Sequence, residues 1–203
     1  VSRSLARTVL VAAQLVAVAT LAAAQQGQKP PEMTPEQKAE MEAYMKAGTP
    51  GVPHQALASA AGSYDLKIKS WHGPGMPALE DTGTATRSVT LGGRVLVEEV
   101  QGSMMGMPFT GRGMMGFDNV SGKYWSTWND SMSTGIMVSE GTCDASGKAC
   151  SFTGSWNDAV KKGPVKARMT TRWTSPTTEV FELYGPGKDG NEMKMMEITY
   201  TKK

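Results

Sequence analysis

From Ser63 onward, apolar and polar residues alternate with a period of two, the rhythm of half-buried β-strands. The clearest run places Val165, Ala167, Met169, Thr171 and Trp173 on one face and Lys166, Arg168, Thr170 and Arg172 on the other. Near the end of the sequence, Met196, Ile198 and Tyr200 alternate with Glu197 and Thr199. Turn-forming clusters separate such runs, among them Asn119-Val120-Ser121-Gly122, Lys161-Lys162-Gly163-Pro164 and Gly185-Pro186-Gly187-Lys188-Asp189-Gly190. The spacing predicts ten strands, at 63–71, 82–90, 94–102, 108–117, 123–130, 134–143, 149–156, 164–173, 178–184 and 192–201. No helical run intervenes to make a parallel crossover. Many short antiparallel strands in one domain of ~150 residues form a sandwich or a closed barrel. Up-and-down order favours closure, which removes both exposed edges. The expected fold is therefore all-β, a ten-stranded antiparallel up-and-down barrel with an N-terminal helix.

That helix is announced by Thr34-Pro35-Glu36-Gln37, with Thr as N-cap, Pro in the first turn and Gln at the capping-box position. It should run to about Ala47, ahead of Gly48 and Pro50. Met41 and Met45 share one face, a stripe narrow enough to suit a lid or a loosely docked arm. A second helical turn is expected at His54 to Ala61. Further upstream, Arg3 and Arg7 precede a mostly apolar run, Thr8 to Ala24, that closes on Ala22-Ala23-Ala24. This fits a secretory signal cut before Gln25 and is short for a membrane span. The expected organisation is a signal peptide at 1–24, a polar linker and helix at 25–52, and the barrel domain at 53–203. The product would be exported, periplasmic or extracellular, without stable membrane insertion after cleavage.

Cleavage changes the charge balance. The whole chain carries 21 Lys+Arg against 19 Asp+Glu, and losing Arg3 and Arg7 leaves 19 of each. A neutral domain lacks the basic stripe that nucleic acid requires. Two His and two Cys exclude His-rich metal centres and multi-cysteine zinc modules. Cys143 and Cys150 flank a turn at Ser146-Gly147, and an oxidising compartment makes them a hairpin disulfide.

Candidate chemistry is sparse. All 15 Met lie downstream of the signal. Met105, Met107 and Met114 could approach one another as soft Cu(I) ligands, while the alternative is that Met fills irregular cores and adaptable binding surfaces. His54 or His72 could serve as a single axial ligand to haem or a metal, or could simply be solvated or locally bonded. No G-x-S-x-G nucleophile elbow is present. Glu98, Glu99, Glu182 and Asp130 lie in strand-like runs, and any that points inward must be paired, with Arg94 or Arg112 as partners. An interior acid–base pair, Glu98 or Asp130 with Arg112, would make the barrel an enzyme. Trp125 and Trp128 face opposite ways, with Trp128 taken as interior beside Tyr184 and Tyr200. The favoured expectation is a non-catalytic barrel that binds a small, largely apolar ligand without a cofactor. Trp128, Met137, Met169, Tyr184, Arg112 and Asp130 are its candidate ligand-binding residues.

Several motifs occur in an order that resembles a bacterial family, domain of unknown function 1579. They are Gly92-Gly93-Arg94, Gly106-Met107-Pro108-Phe109-Thr110-Gly111-Arg112-Gly113, Gly116-Phe117-Asp118-Asn119 and Thr127-Trp128-Asn129-Asp130-Ser131-Met132-Ser133-Thr134-Gly135. Lys194 and Met196-Glu197-Ile198-Thr199-Tyr200 complete the set. The resemblance spans roughly His54 to Lys203, with Phe117 where the pattern has Tyr. Separately, Gly62-Ser63-Tyr64 is similar to the entry of lipocalin-like barrels, in which Gly-x-Trp opens the first strand. Together these imply a lipocalin-like barrel and no particular activity.

Overall fold

The computed structural model describes residues 32–187 and 189–203. The expected signal peptide at 1–24 lies outside them. Two compact units divide between Lys46 and Ala47. The first contains most of α1 (Pro35–Gly48), whose start is the reciprocal capping box read from the sequence. The Gln37 amide donates to Thr34 Oγ1 at 3.3 Å, and the Thr34 amide donates to Gln37 Oε1 at 2.9 Å. The helix has no buried residue, in keeping with its narrow Met stripe.

The second unit is a short helix, α2 (Val52–Ser59), followed by ten strands. These are β1 (Gly62–Ser70), β2 (Leu79–Thr90), β3 (Val95–Met104), β4 (Met107–Asp118) and β5 (Lys123–Asp130), then β6 (Met137–Cys143), β7 (Ala149–Asp158), β8 (Gly163–Trp173), β9 (Thr178–Pro186) and β10 (Glu192–Lys202). Each strand pairs antiparallel with the next, and β1 pairs with β10 to close the barrel. Closure leaves no sheet edge to template aggregation. It follows from strands that turn alternate residues to one face and hide that row of side chains only by curling onto one another. β1 shows the rhythm plainly, with Tyr64, Leu66, Ile68 and Ser70 buried between exposed neighbours.

α2 lies across one end of the barrel. Tyr64 Oη donates to the Ala60 carbonyl at 2.6 Å, and Lys202 Nζ donates to that of Ser59 at 3.3 Å. Leu57 packs on a buried cluster of Tyr124, Phe152 and Met169. The opposite end is framed by the loops after β1, β3, β5, β7 and β9. Cys143 and Cys150 face each other across β6 and β7 and form the expected disulfide. Two family-like motifs have local structural roles. Arg94, after Gly92 and Gly93 at φ 63° and 91°, donates to the Gly48 and Leu91 carbonyls, and Asn119 donates to those of Ala47 and Thr49.

Candidate functional site

The barrel interior is not solid. A cavity of about 430 Å³ runs inside it, bounded at one end by Ala56 and Leu57 of α2 and reaching Met132 and Ile136 in the β5–β6 loop at the other. Its wall is mostly apolar, and Met104, Met115, Met137, Met169 and Met196 all contribute. Thioether side chains are flexible and polarisable, which lets such a wall adapt to different shapes.

One wall is built around Trp128. The indole lies flat over Gly111 and Gly113 of the neighbouring strand, so close that a Cβ at Gly111 would stand 2.3 Å from its Cζ2. Only glycine leaves room for a ring in that place. Phe109 stacks on the same indole at 6.5 Å between centroids and an interplanar angle of 17°. At its polar edge, Nε1 donates to Asp130 Oδ2 at 2.9 Å, while Oδ1 of that carboxylate accepts the Met132 amide. Trp125, three residues earlier and on the outer surface, repeats the arrangement over Gly116.

The α2 end of the cavity carries a charged layer. Arg87 on β2 donates from Nε to Glu98 Oε1 on β3 at 3.2 Å, and from Nη1 to Glu179 Oε2 on β9 at 2.5 Å. The side chains of Arg87 and Glu179 are 8% exposed and that of Glu98 is 17% exposed. The guanidinium also lies against two buried rings, with Cζ 4.9 Å from the Tyr64 centroid and 4.4 Å from that of Tyr200. Burial opposes the charge on Arg87, but Glu98 and Glu179 outweigh it and hold its pKa well above the ordinary value. Burial, reinforced by Glu98, pushes the Tyr200 hydroxyl well above the normal tyrosine range. Burial likewise raises the Tyr64 hydroxyl above its ordinary value, so both phenols stay neutral beside a permanent cation.

The candidate residues divide. Trp128, Met137, Met169 and Asp130 line the cavity. Tyr184 does not. On β9 the inward set is Glu179, Phe181 and Leu183, so the next residue must point out. Tyr184 lies on the outer surface against Arg168, whose Cζ is 3.9 Å from the ring centroid. Arg112 is likewise external, since it alternates with the inward Gly111 and Gly113. Its Nε lies 3.9 Å from Glu99 Oε1, with both side chains about two-thirds exposed. The pairing of Arg112 with Glu98 or Asp130 is therefore corrected, and Glu98 is held by Arg87 instead. Glu182 is also external, bonded to Lys194 and Thr170.

The methionine trio does not converge. Met107 and Met114 stand seven residues apart on one strand, about 23 Å at the usual rise, and odd spacing turns them to opposite faces. Met105, in the β3–β4 turn, is exposed, as are the other two. Neither histidine lines the cavity. His54 is buried in α2, where Nδ1 accepts the Gly51 amide at 3.0 Å, and His72 is exposed after β1. Among the described residues, no three His, Cys, Asp or Glu side chains form a metal-binding group. Arg87 and Glu179 are the interior residues that the sequence reading missed. The available signal was Glu179 sharing its face with Phe181 and Leu183, and Glu98 sharing its face with Leu96 and Val100.

The fold recurs in the crystal structure of Rv2717c from M. tuberculosis, with a TM-score of 0.59 and 13% identity over 76% of this chain and 99% of that one. A redesigned beta barrel, mFAP1, bound to DFHBI aligns at a TM-score of 0.40 and 14% identity, over 75% of this chain and 100% of the other. At 13% identity the likeness to Rv2717c concerns the fold alone. No curated protein sequence matches the chain. Residues 49–202 match the family described as protein of unknown function (DUF1579), and the chain belongs to that family.

Proposed function

We propose that this protein is an exported, non-catalytic carrier that holds a small, largely apolar molecule inside its barrel. The observation that carries the reading is the cavity itself, about 430 Å³ of mostly apolar space inside a closed barrel with α2 across one end. That volume lies within the roughly 300–1,000 Å³ typical of small-molecule sites. A barrel of this strand number could have filled its centre with its own side chains, and this one leaves room. Seven methionines in the wall suit a ligand of variable shape better than a single rigid one. The charged residues that line the cavity are either tied to one another or bonded to the tryptophan shelf, an arrangement that favours binding over proton transfer. Export rests on the Thr8–Ala24 run and agrees with the Cys143–Cys150 disulfide, since such bonds persist in oxidising compartments.

Native mass spectrometry of protein purified from its own host tests this reading. The expected result is a bound small molecule that is lost on solvent extraction and restored on re-addition. A ligand-free protein that also fails to bind any of a panel of apolar dyes would overturn it.

A further inference from the structure

The charged residues lining the cavity are unequal in sign. They are one cation, Arg87, and three carboxylates, Glu98, Glu179 and Asp130, a formal sum of −2 before any ligand enters. Every lysine in the described structure lies outside that wall. The lone cation is already committed. Its Nε and Nη1 are bonded to two carboxylates, and its flat face lies against Tyr64 and Tyr200. An incoming carboxylate would have to share a guanidinium already paired with two carboxylates, and would add a third negative charge to the layer made by Glu98 and Glu179. In a desolvated space, like charges repel far more strongly than in water.

The acceptor side of the layer is open. Glu98 uses Oε1 for Arg87, and among the described residues no donor reaches its Oε2. Glu179 likewise uses only Oε2. A buried carboxylate with a spare oxygen facing a cavity is complementary to a positively charged hydrogen-bond donor.

We infer that the cavity selects amphiphiles whose polar end is an amine, with the ammonium group seated on Glu98 at the α2 end and the apolar body running along the methionine wall toward Trp128. This rests on the carrier reading and specifies its ligand class. The charge sum supplies the preference for a cation, the spare carboxylate oxygens supply the hydrogen bonds, and the remaining wall accepts a chain or ring without polar atoms.

The test is displacement of prodan, a neutral solvatochromic dye, from the purified protein at neutral pH by decylamine, decanol and decanoate. These competitors share one chain and differ only at the head. Decylamine is expected to displace the dye at concentrations at least tenfold below decanoate, with decanol between them. In Glu98→Gln, the ratio of decylamine to decanol affinity should fall at least fivefold. Should that variant fold poorly, the wild-type ranking alone decides the matter. Dye that binds but yields to decanoate as readily as to decylamine overturns the amine assignment and leaves the carrier standing. Dye and competitors that all fail to bind overturn both.

Discussion

Arg87 and Glu179 are 92 residues apart in sequence and share a 2.5 Å hydrogen bond inside the barrel. The bond reaches across two intervening strands, because β1 and β10 lie between β2 and β9 in the sheet order. Those strands supply the rings beneath it, Tyr64 and Tyr200, and the register places Tyr200 directly beside Glu179 and Arg87 directly beside Glu98. One layer thus ties together five neighbouring strands, including the β1–β10 seam where the barrel closes.

Removing the cation from this layer should be costly. Arg87→Met keeps an unbranched side chain but strands two buried carboxylates, a class of change that costs about 3–5 kcal/mol. The triple variant Arg87→Met, Glu98→Leu, Glu179→Leu should recover much of that loss, because apolar groups of similar volume replace buried ions at little net cost. Urea denaturation of both variants measures the difference. A single variant as stable as the wild type would show that the layer does not hold the seam.

The fold was legible because most strands obey one rule. On β8, Val165, Ala167 and Met169 are buried as the alternation requires, and on β10 Tyr200 is buried in the same way. The charged layer hid behind the same rule. Arg87 sits between Thr86 and Ser88, where nothing local distinguishes an inward arginine from an outward one. Its partners lie on β3 and on distant β9, so the pairing exists only after closure. Tyr184 was misplaced for a related reason. An aromatic residue at the end of a strand looks internal until the face it shares with Val180 is set against that of Phe181 and Leu183. The resting place of Trp128 was also unreadable, since it depends on glycines of another strand lying in register with it.

Those glycines lead to a second prediction. In Gly111→Ala the new methyl would overlap the Trp128 ring, forcing the indole away from Phe109 and into the cavity. Overpacking of this kind costs about 1–3 kcal/mol. Lower stability, a changed tryptophan emission spectrum and weaker binding of an apolar dye are expected together. Destabilisation with unaltered binding would mean that the strand moved instead of the ring.

The disulfide should contribute modestly. Cys143 and Cys150 are seven positions apart, and a loop that short gains about 2.5 kcal/mol in the chain-entropy account. Replacing both with Ser should lower the thermal midpoint by roughly 5–10 °C for a domain of this size. The variant should still fold and still bind, because the pair joins two strands that the barrel ladder already holds. Failure to fold without the disulfide would assign it a much larger part in the stability of the barrel.

The outer surface gives a prediction in pH. Lys194 donates to Glu182 and, at 2.7 Å, to Glu197. The hydrogen bond from Lys194 pulls the Glu182 carboxyl below the usual glutamate range. Burial alone would lower the Lys194 pKa, and the two carboxylates outweigh it, raising the ammonium above its ordinary value. A depressed carboxyl stabilises the fold above its unfolded pKa of about 4.3, and that contribution disappears as pH falls through the lower folded value. A raised ammonium has the opposite sign. It contributes fully below about pH 10.4 and less as pH climbs toward the folded value. Lys194→Met should therefore flatten both limbs of the stability–pH curve while leaving the barrel interior untouched. The change at neutral pH should stay below about 1 kcal/mol, as for partly exposed ion pairs in general. Thermal midpoints of the two proteins measured from pH 3 to pH 11 provide the check, and curves that remain parallel throughout would remove Lys194 from the account of acid and alkaline unfolding.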